Sequence, residues 1–257
     1  MRRSGKQDNL SMSSCNVGRR GFLGSIGAGA LVALAPGVTF IRFAKARSAN
    51  EPVTDTHHWG MLIDSNKCAQ GCNACVSACR EENGLIGYDR PHTDVQWIRK
   101  VTLEDKRSER KSSFPVMCQH CQHPPCVDVC PTGASFRRAD GVVLVDRHIC
   151  IGCRYCMMAC PYKARSFAHE AISNQKAHAP RGKGTVEACT MCVHRIDEDP
   201  NLVPACVEVC SAQGKGAMVF GDMNDPNSQI SMDLKSYSST ELRSDLKLDP
   251  GVRYRNV

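Results

Sequence analysis

Sixteen of the seventeen cysteines fall into four groups of four: Cys68, Cys72, Cys75, Cys79; Cys118, Cys121, Cys126, Cys130; Cys150, Cys153, Cys156, Cys160; and Cys189, Cys192, Cys206, Cys210. The third group is followed by Pro161 and reads C-x2-C-x2-C-x3-C-P. Thiolates are soft metal ligands, and three of them in so short a run can reach three corners of one small iron–sulfur cube. A structural zinc knuckle or a disulfide scaffold does not call for that spacing, and cysteines two residues apart in one loop cannot all pair locally without strain. Positioning them takes a repeated unit: a cysteine loop, a short helical turn ending on the fourth cysteine, then a strand or hairpin.

The third group resembles the bacterial-ferredoxin pattern for 4Fe–4S clusters, in which the fourth cysteine ligates the neighbouring cluster of a two-cluster unit. Pro131 and Pro161, placed directly after fourth cysteines, turn the chain off each short helix. On that pattern the second and third groups pair. Cys118, Cys121, Cys126 and Cys160 would hold one cluster, and Cys130, Cys150, Cys153 and Cys156 its partner. The first and fourth groups then pair as Cys68, Cys72, Cys75 with Cys210, and Cys79 with Cys189, Cys192, Cys206. Four 4Fe–4S clusters are expected. Cys189-x2-Cys192 with the distant Cys206-x3-Cys210 would, alone, also suit structural zinc. The Cys68–Cys72 interval has one residue more than the usual spacing. His120 and His123 flank Cys121 and are read as packing or hydrogen-bonding groups. Arg80, Arg154, Lys163, Arg165 and Arg195 either compensate cluster charge or dock partners, or are solvated surface. Tyr155, Met157, Met158 and Tyr162 are expected to form an apolar jacket.

The expected fold class is α+β: two bacterial-ferredoxin-like modules with polar insertions and long loops. The four-cluster domain spans about 58–230, with an inner module at about 115–168 and an outer module made of 58–90 and 186–222. Trp59 to Asp64 reads as a strand, and Ala134 to Val145 as a hairpin closed at Asp140-Gly141. Residues 90–114 and 170–187 read as polar insertions, and 231–257 as a C-terminal tail.

The net charge of +7 is concentrated at the start: residues 1–46 hold seven basic side chains against Asp8. The remaining chain is near neutral, and clusters with about −2 charge each would make it acidic, which argues against a nucleic-acid partner. Gly18-Arg19-Arg20-Gly21-Phe22-Leu23, the uncharged stretch to Ile41 and Ala44-Lys45-Ala46 read as a twin-arginine signal peptide over 1–46, with 47–57 a linker. An uncleaved membrane anchor is the alternative reading. Cys15 lies in this leader. Twin-arginine export carries folded, cofactor-loaded proteins, which suits thiols bound for an oxidising compartment.

The four cysteine groups, Trp59 to Asp64, the block from Cys118-Gln-His-Cys to Cys130-Pro-Thr-Gly-Ala, and Gly221-Asp222 with Asp225-Pro226 are similar to the four-cluster subunits of the tetrathionate, polysulfide and dimethyl-sulfoxide reductase families. The export signal, the Trp-Gly-Met-Leu-Ile-Asp start and the Cys68-to-Cys72 spacing most resemble the DsrO-type periplasmic iron–sulfur subunits of Dsr transmembrane complexes. That resemblance implies an electron-transfer subunit and not an enzyme by itself. It also implies an NrfD-like integral membrane partner that handles quinone, a cytochrome c or other redox subunits, and attachment to the inner membrane through these partners. The alternative is the iron–sulfur partner of a molybdopterin-dependent tetrathionate or polysulfide reductase; a structural zinc protein is a third reading.

Overall fold

The computed structural model describes residues 51–257 apart from 108, 110, 214 and 215. The expected signal peptide at 1–46, with Cys15 and the first part of the linker, lies outside the described residues.

Strand β1 (Trp59–Asp64) is buried along its whole length because it is the middle strand of a three-stranded sheet. Antiparallel β8 (Met218–Asp222) lies on one side, with Met61 opposite Phe220. Parallel β9 (Val252–Arg255) lies on the other, with Ile63 opposite Tyr254. A strand covered on both faces reads as a near-continuous apolar run, as Trp-Gly-Met-Leu-Ile does. The tail expected after residue 230 is therefore corrected. It carries α6 (Gln229–Ser236), capped by the Ser228 hydroxyl, and then β9, whose Val252 and Tyr254 are fully buried. Its many charged residues concealed a two-residue alternation only four residues long.

The expected insertion at 90–114 is also corrected. β2 (Ile98–Glu104) and β3 (Lys111–Met117) form a hairpin whose base buries Trp97, Ile98, Phe114, Val116 and Met117. Only the tip, including Glu104 to Arg107, is the exposed charged loop that the composition suggested. In the region 170–187, β7 (Val186–Ala188) pairs with β6 (Arg165–Phe167) and buries Glu187 completely. The expected Ala134–Val145 hairpin is present as β4 (Ser135–Arg137) and β5 (Val143–Val145), with Gly141 at φ 93° in its turn. Arg138 pairs there with buried Asp140 and with Asp197, pinning the hairpin to α4 (Val193–Glu198).

The cysteine-bearing helices pack in pairs. α1 (Ala74–Asn83) lies against α5 (Ala205–Ala212), joining the first and fourth groups. α2 (Pro125–Asp128) lies against α3 (Tyr155–Ala159), joining the second and third. No helix among the described residues is long and apolar enough to cross a membrane.

Candidate metal centres

Each cysteine loop contains a left-handed residue that folds the backbone around a concavity. Gly71, His120, Gly152 with Arg154, and Met191 with Cys192 fill this role in the four groups. Successive N–H groups in such turns face an anionic centre. At Gly152 the glycine is required twice over: φ is +71°, and a Cβ would sit 2.1 Å from the Gly184 carbonyl oxygen.

Cys68, Cys72, Cys75 and Cys210 line one cavity of about 100 Å³, together with Pro115, Ala217 and Met218. Burial pushes the Cys75 thiol up to about 11, and Cys68 and Cys210 push it further. Cys189 is driven up by burial and then by Cys79 and Cys206, and Cys206 by burial, Cys192 and Cys79. Burial likewise holds Cys121 at about 12, with Cys118, Cys126 and Cys160 adding to it. The structure thus brings three of the four expected sets face to face. The members of the fourth meet through shared neighbours. The Ser135 N–H donates to Cys130 Sγ (3.4 Å), and the Val186 N–H to Cys150 Sγ (3.5 Å). At Cys130 the effect of burial is outweighed by hydrogen bonds from Ser135 and Thr132, which bring the thiol down to about 7.

These donor sets fit a multi-iron cluster and not a single ion. Four sulfurs on one zinc at ~2.3 Å would lie roughly 3.8 Å apart. Among the described residues, the only group of three or more candidate ligand atoms within 4.8 Å of one another is Glu82, His178 and His194, and it contains no thiol. Thiolates on separate corners of a cube stand further apart. That three-residue group is itself a poor cation site. Its imidazoles are stacked at 3.7 Å and 23°, so their lone pairs do not converge, and Arg195 already occupies both Glu82 oxygens at 2.8 Å.

Buried thiols that resist ionisation need a cation to become thiolates, so ligation supplies folding energy and releases protons. Donors wait around them. Lys100 Nζ reaches Cys68 Sγ (3.2 Å) and the Ala69 carbonyl, Asn83 Nδ2 reaches Cys79 Sγ (3.7 Å), and Arg165 Nη2 reaches Cys126 Sγ (3.1 Å). Lys100 and Asn83 had no cysteine-spacing signal; Lys100 arrives from a hairpin 32 residues away. Of the other cations, Arg80, Arg154 and Lys163 are exposed, Arg154 resting 4.0 Å over Phe167, and Arg195 is tied to Glu82 and Glu208. His120 is buried and accepts the Val143 N–H through Nδ1, so its first duty is packing; His123 is exposed. The expected apolar jacket is only partly built. Tyr162 is buried and Met157 half-buried, but Tyr155 and Met158 are exposed, leaving the Cys153 corner open to solvent.

Paired cysteine loops around cluster-sized hollows define a ferredoxin-like electron carrier. Two family models described as 4Fe–4S dicluster domains match, over residues 67–134 and 110–223. The Hdr-like menaquinol oxidoreductase iron–sulfur subunit 1 of Archaeoglobus fulgidus is 40% identical over 94% of this chain and 98% of its own length. The iron–sulfur B component of tetrathionate reductase from Salmonella typhimurium is 37% identical over 82% of this chain and 76% of its own. Protein NrfC of Escherichia coli is 39% identical over 69% and 71%. The chain belongs to this family of 4Fe–4S dicluster iron–sulfur subunits. It is an electron-transfer subunit of an oxidoreductase complex with four 4Fe–4S clusters, and not a catalyst on its own. Bound clusters supply reversible one-electron chemistry; the polypeptide holds them, excludes water and sets their charge environment.

Proposed function

We propose that this subunit is of the DsrO type: periplasmic, exported by the twin-arginine route, and attached to the inner membrane through an NrfD-like subunit that handles quinone. It passes electrons between that subunit and a cytochrome c or another redox subunit. The ligand sets are Cys68, Cys72, Cys75, Cys210; Cys79, Cys189, Cys192, Cys206; Cys118, Cys121, Cys126, Cys160; and Cys130, Cys150, Cys153, Cys156. The observation that carries the ligand reading is the single cavity walled by Cys68, Cys72 and Cys75 from one end of the domain and Cys210 from the other. The menaquinol oxidoreductase relative, similar along nearly its whole length, supports the quinone-linked partner.

The test is reduction of the purified protein by a menaquinol analogue, followed at about 400 nm, with and without the co-expressed membrane subunit. Reduction that depends on that subunit is expected; rapid reduction without it, or none with it, sinks the proposal. The tetrathionate reductase relative favours a second reading, an iron–sulfur partner serving a molybdopterin enzyme. Affinity purification of the native complex separates the two, because a molybdopterin subunit would accompany the chain only in the second.

A further inference from the structure

Arg165 follows closely on Cys160 and is buried, with 5% exposure. Its Nη2 donates to Cys126 Sγ (3.1 Å), and its guanidinium also hydrogen-bonds Cys156 and lies close to Cys118. Its Nη1 donates to the Ser135 hydroxyl (2.7 Å), while the Ser135 N–H donates to Cys130 Sγ. Nε has no partner, and among the described residues no carboxylate is paired with this arginine. A buried guanidinium without an anion is costly, because it cannot shed its proton. The negative charge facing it must come from the two cysteine sets it touches.

Cys126 belongs to one inner set and Cys156 to the other, so a single cation is shared by both. Among the described residues the outer module has no equivalent. Lys100 serves Cys68 at one edge, and the Cys79 set receives the neutral Asn83 amide. A fixed positive charge in a low-dielectric interior favours the reduced, more negative state of whatever it faces.

We propose that Arg165 is the charge-tuning residue common to the inner pair, raising the reduction potentials of both inner clusters and easing their simultaneous reduction. Each step is the gain of one electron with no bond made or broken. The inference rests on the ligand sets proposed above. Its consequence is that the inner clusters act as the electron-holding centre of the path, and the Cys79 set, served by a neutral amide, is harder to reduce.

The experiment is EPR-monitored redox titration of the full chain and of R165Q, R165K and S135A, each with an iron count. Wild type should hold about sixteen iron in four reducible centres. In R165Q at full iron, two centres should shift down together by at least tenfold in the reduction equilibrium, ~59 mV for a one-electron couple, while two stay fixed. R165K, which keeps the charge, should shift them less, and S135A least. Unchanged potentials in iron-replete R165Q, a shift in only one centre, or equal shifts in all four would overturn the proposal. Should R165Q fail to load, R165K decides: inner potentials near wild type support the charge role, and a large fall despite the retained charge refutes it. Fewer than four centres in wild type would instead refute the ligand sets, a result that substitution of Arg165 does not produce.

Discussion

The two modules bury different things. The larger core, around β1, β8, β9 and the β2–β3 hairpin, contains Trp59, Trp97, Phe114, Phe220 and Tyr254, and three of its twenty-one buried members are cysteines. The inner core has ten buried members; five are cysteines, and four of the rest are Val143, Ala164, Val186 and Ala188. Small side chains around thiols cannot supply the apolar area that aromatic rings supply. The outer module can therefore hold much of its shape by ordinary packing, whereas the inner module owes its shape to metal ligation. That division matches the electrostatics: the inner pair encloses a cation with no protein anion, and the outer module pairs its charges at its surface.

Iron removal should expose this contrast most strongly. After stripping with a strong chelator under reducing conditions, amide exchange across 118–168 should become fast, while β1, β8 and β9 keep measurable protection. Simultaneous loss of protection in both would break the comparison. The joint between the modules should be the next most sensitive element. Arg181 Nε contacts both oxygens of Glu187 at 3.0 Å, Trp97 donates to the same carboxylate (3.1 Å), and Arg181 Nη1 reaches the Gly84 carbonyl (2.7 Å) at the end of α1. Arg181→Met strands a fully buried carboxylate and should cost about 3–5 kcal/mol in denaturant melts. Adding Glu187→Leu should recover most of that loss; no recovery would mean that the pair itself, not the stranded charge, holds the joint.

A surface contact of the outer module should respond to pH. Hydrogen bonds from Arg195, against some burial and with help from His194, hold the Glu82 carboxyl down at about 2. A depressed carboxyl adds stability that is complete above its unfolded value near 4.5 and is lost as pH falls toward 2. Glu82→Gln should therefore be less stable than wild type at pH 7 by about 1–2 kcal/mol, a figure reduced for solvent screening. The gap should close between pH 4.5 and 2; a gap independent of pH would exclude the charge as its cause. The smallest effect is expected at Tyr254, whose hydroxyl donates to the Pro115 carbonyl (3.3 Å) and accepts from Gln119 (3.1 Å). Tyr254→Phe keeps the ring packed on Phe114 and should cost about 1 kcal/mol. A loss several times larger would show that β9 depends on that polar tie more than on packing.

Ligand chemistry was open to reading because it is local. Two- and three-residue cysteine spacings, and prolines after fourth cysteines, constrain a few bonds of chain whatever surrounds them. β1 and the Asp140-Gly141 hairpin were legible for the same reason. The β2–β3 hairpin, β7 and β9 were not, because their charged residues point outward while single large side chains, Trp97, Phe114 and Tyr254, do the burying. Short strands with one apolar face and no turn signature look like loops until the partner strand is known.

The amino-acid sequence by itself determined that this chain ligates iron–sulfur clusters, how many, and which family it resembles, because thiol identity and spacing carry that information. Tertiary structure alone decided which loops face each other across a cavity, that the last residues complete the sheet, and which cations reach sulfur. Among five basic residues near cysteines, sequence offers no reason to prefer Arg165. Burial between Cys126 and Cys156 singles it out, since a charge acts strongly on its neighbours only where water is excluded.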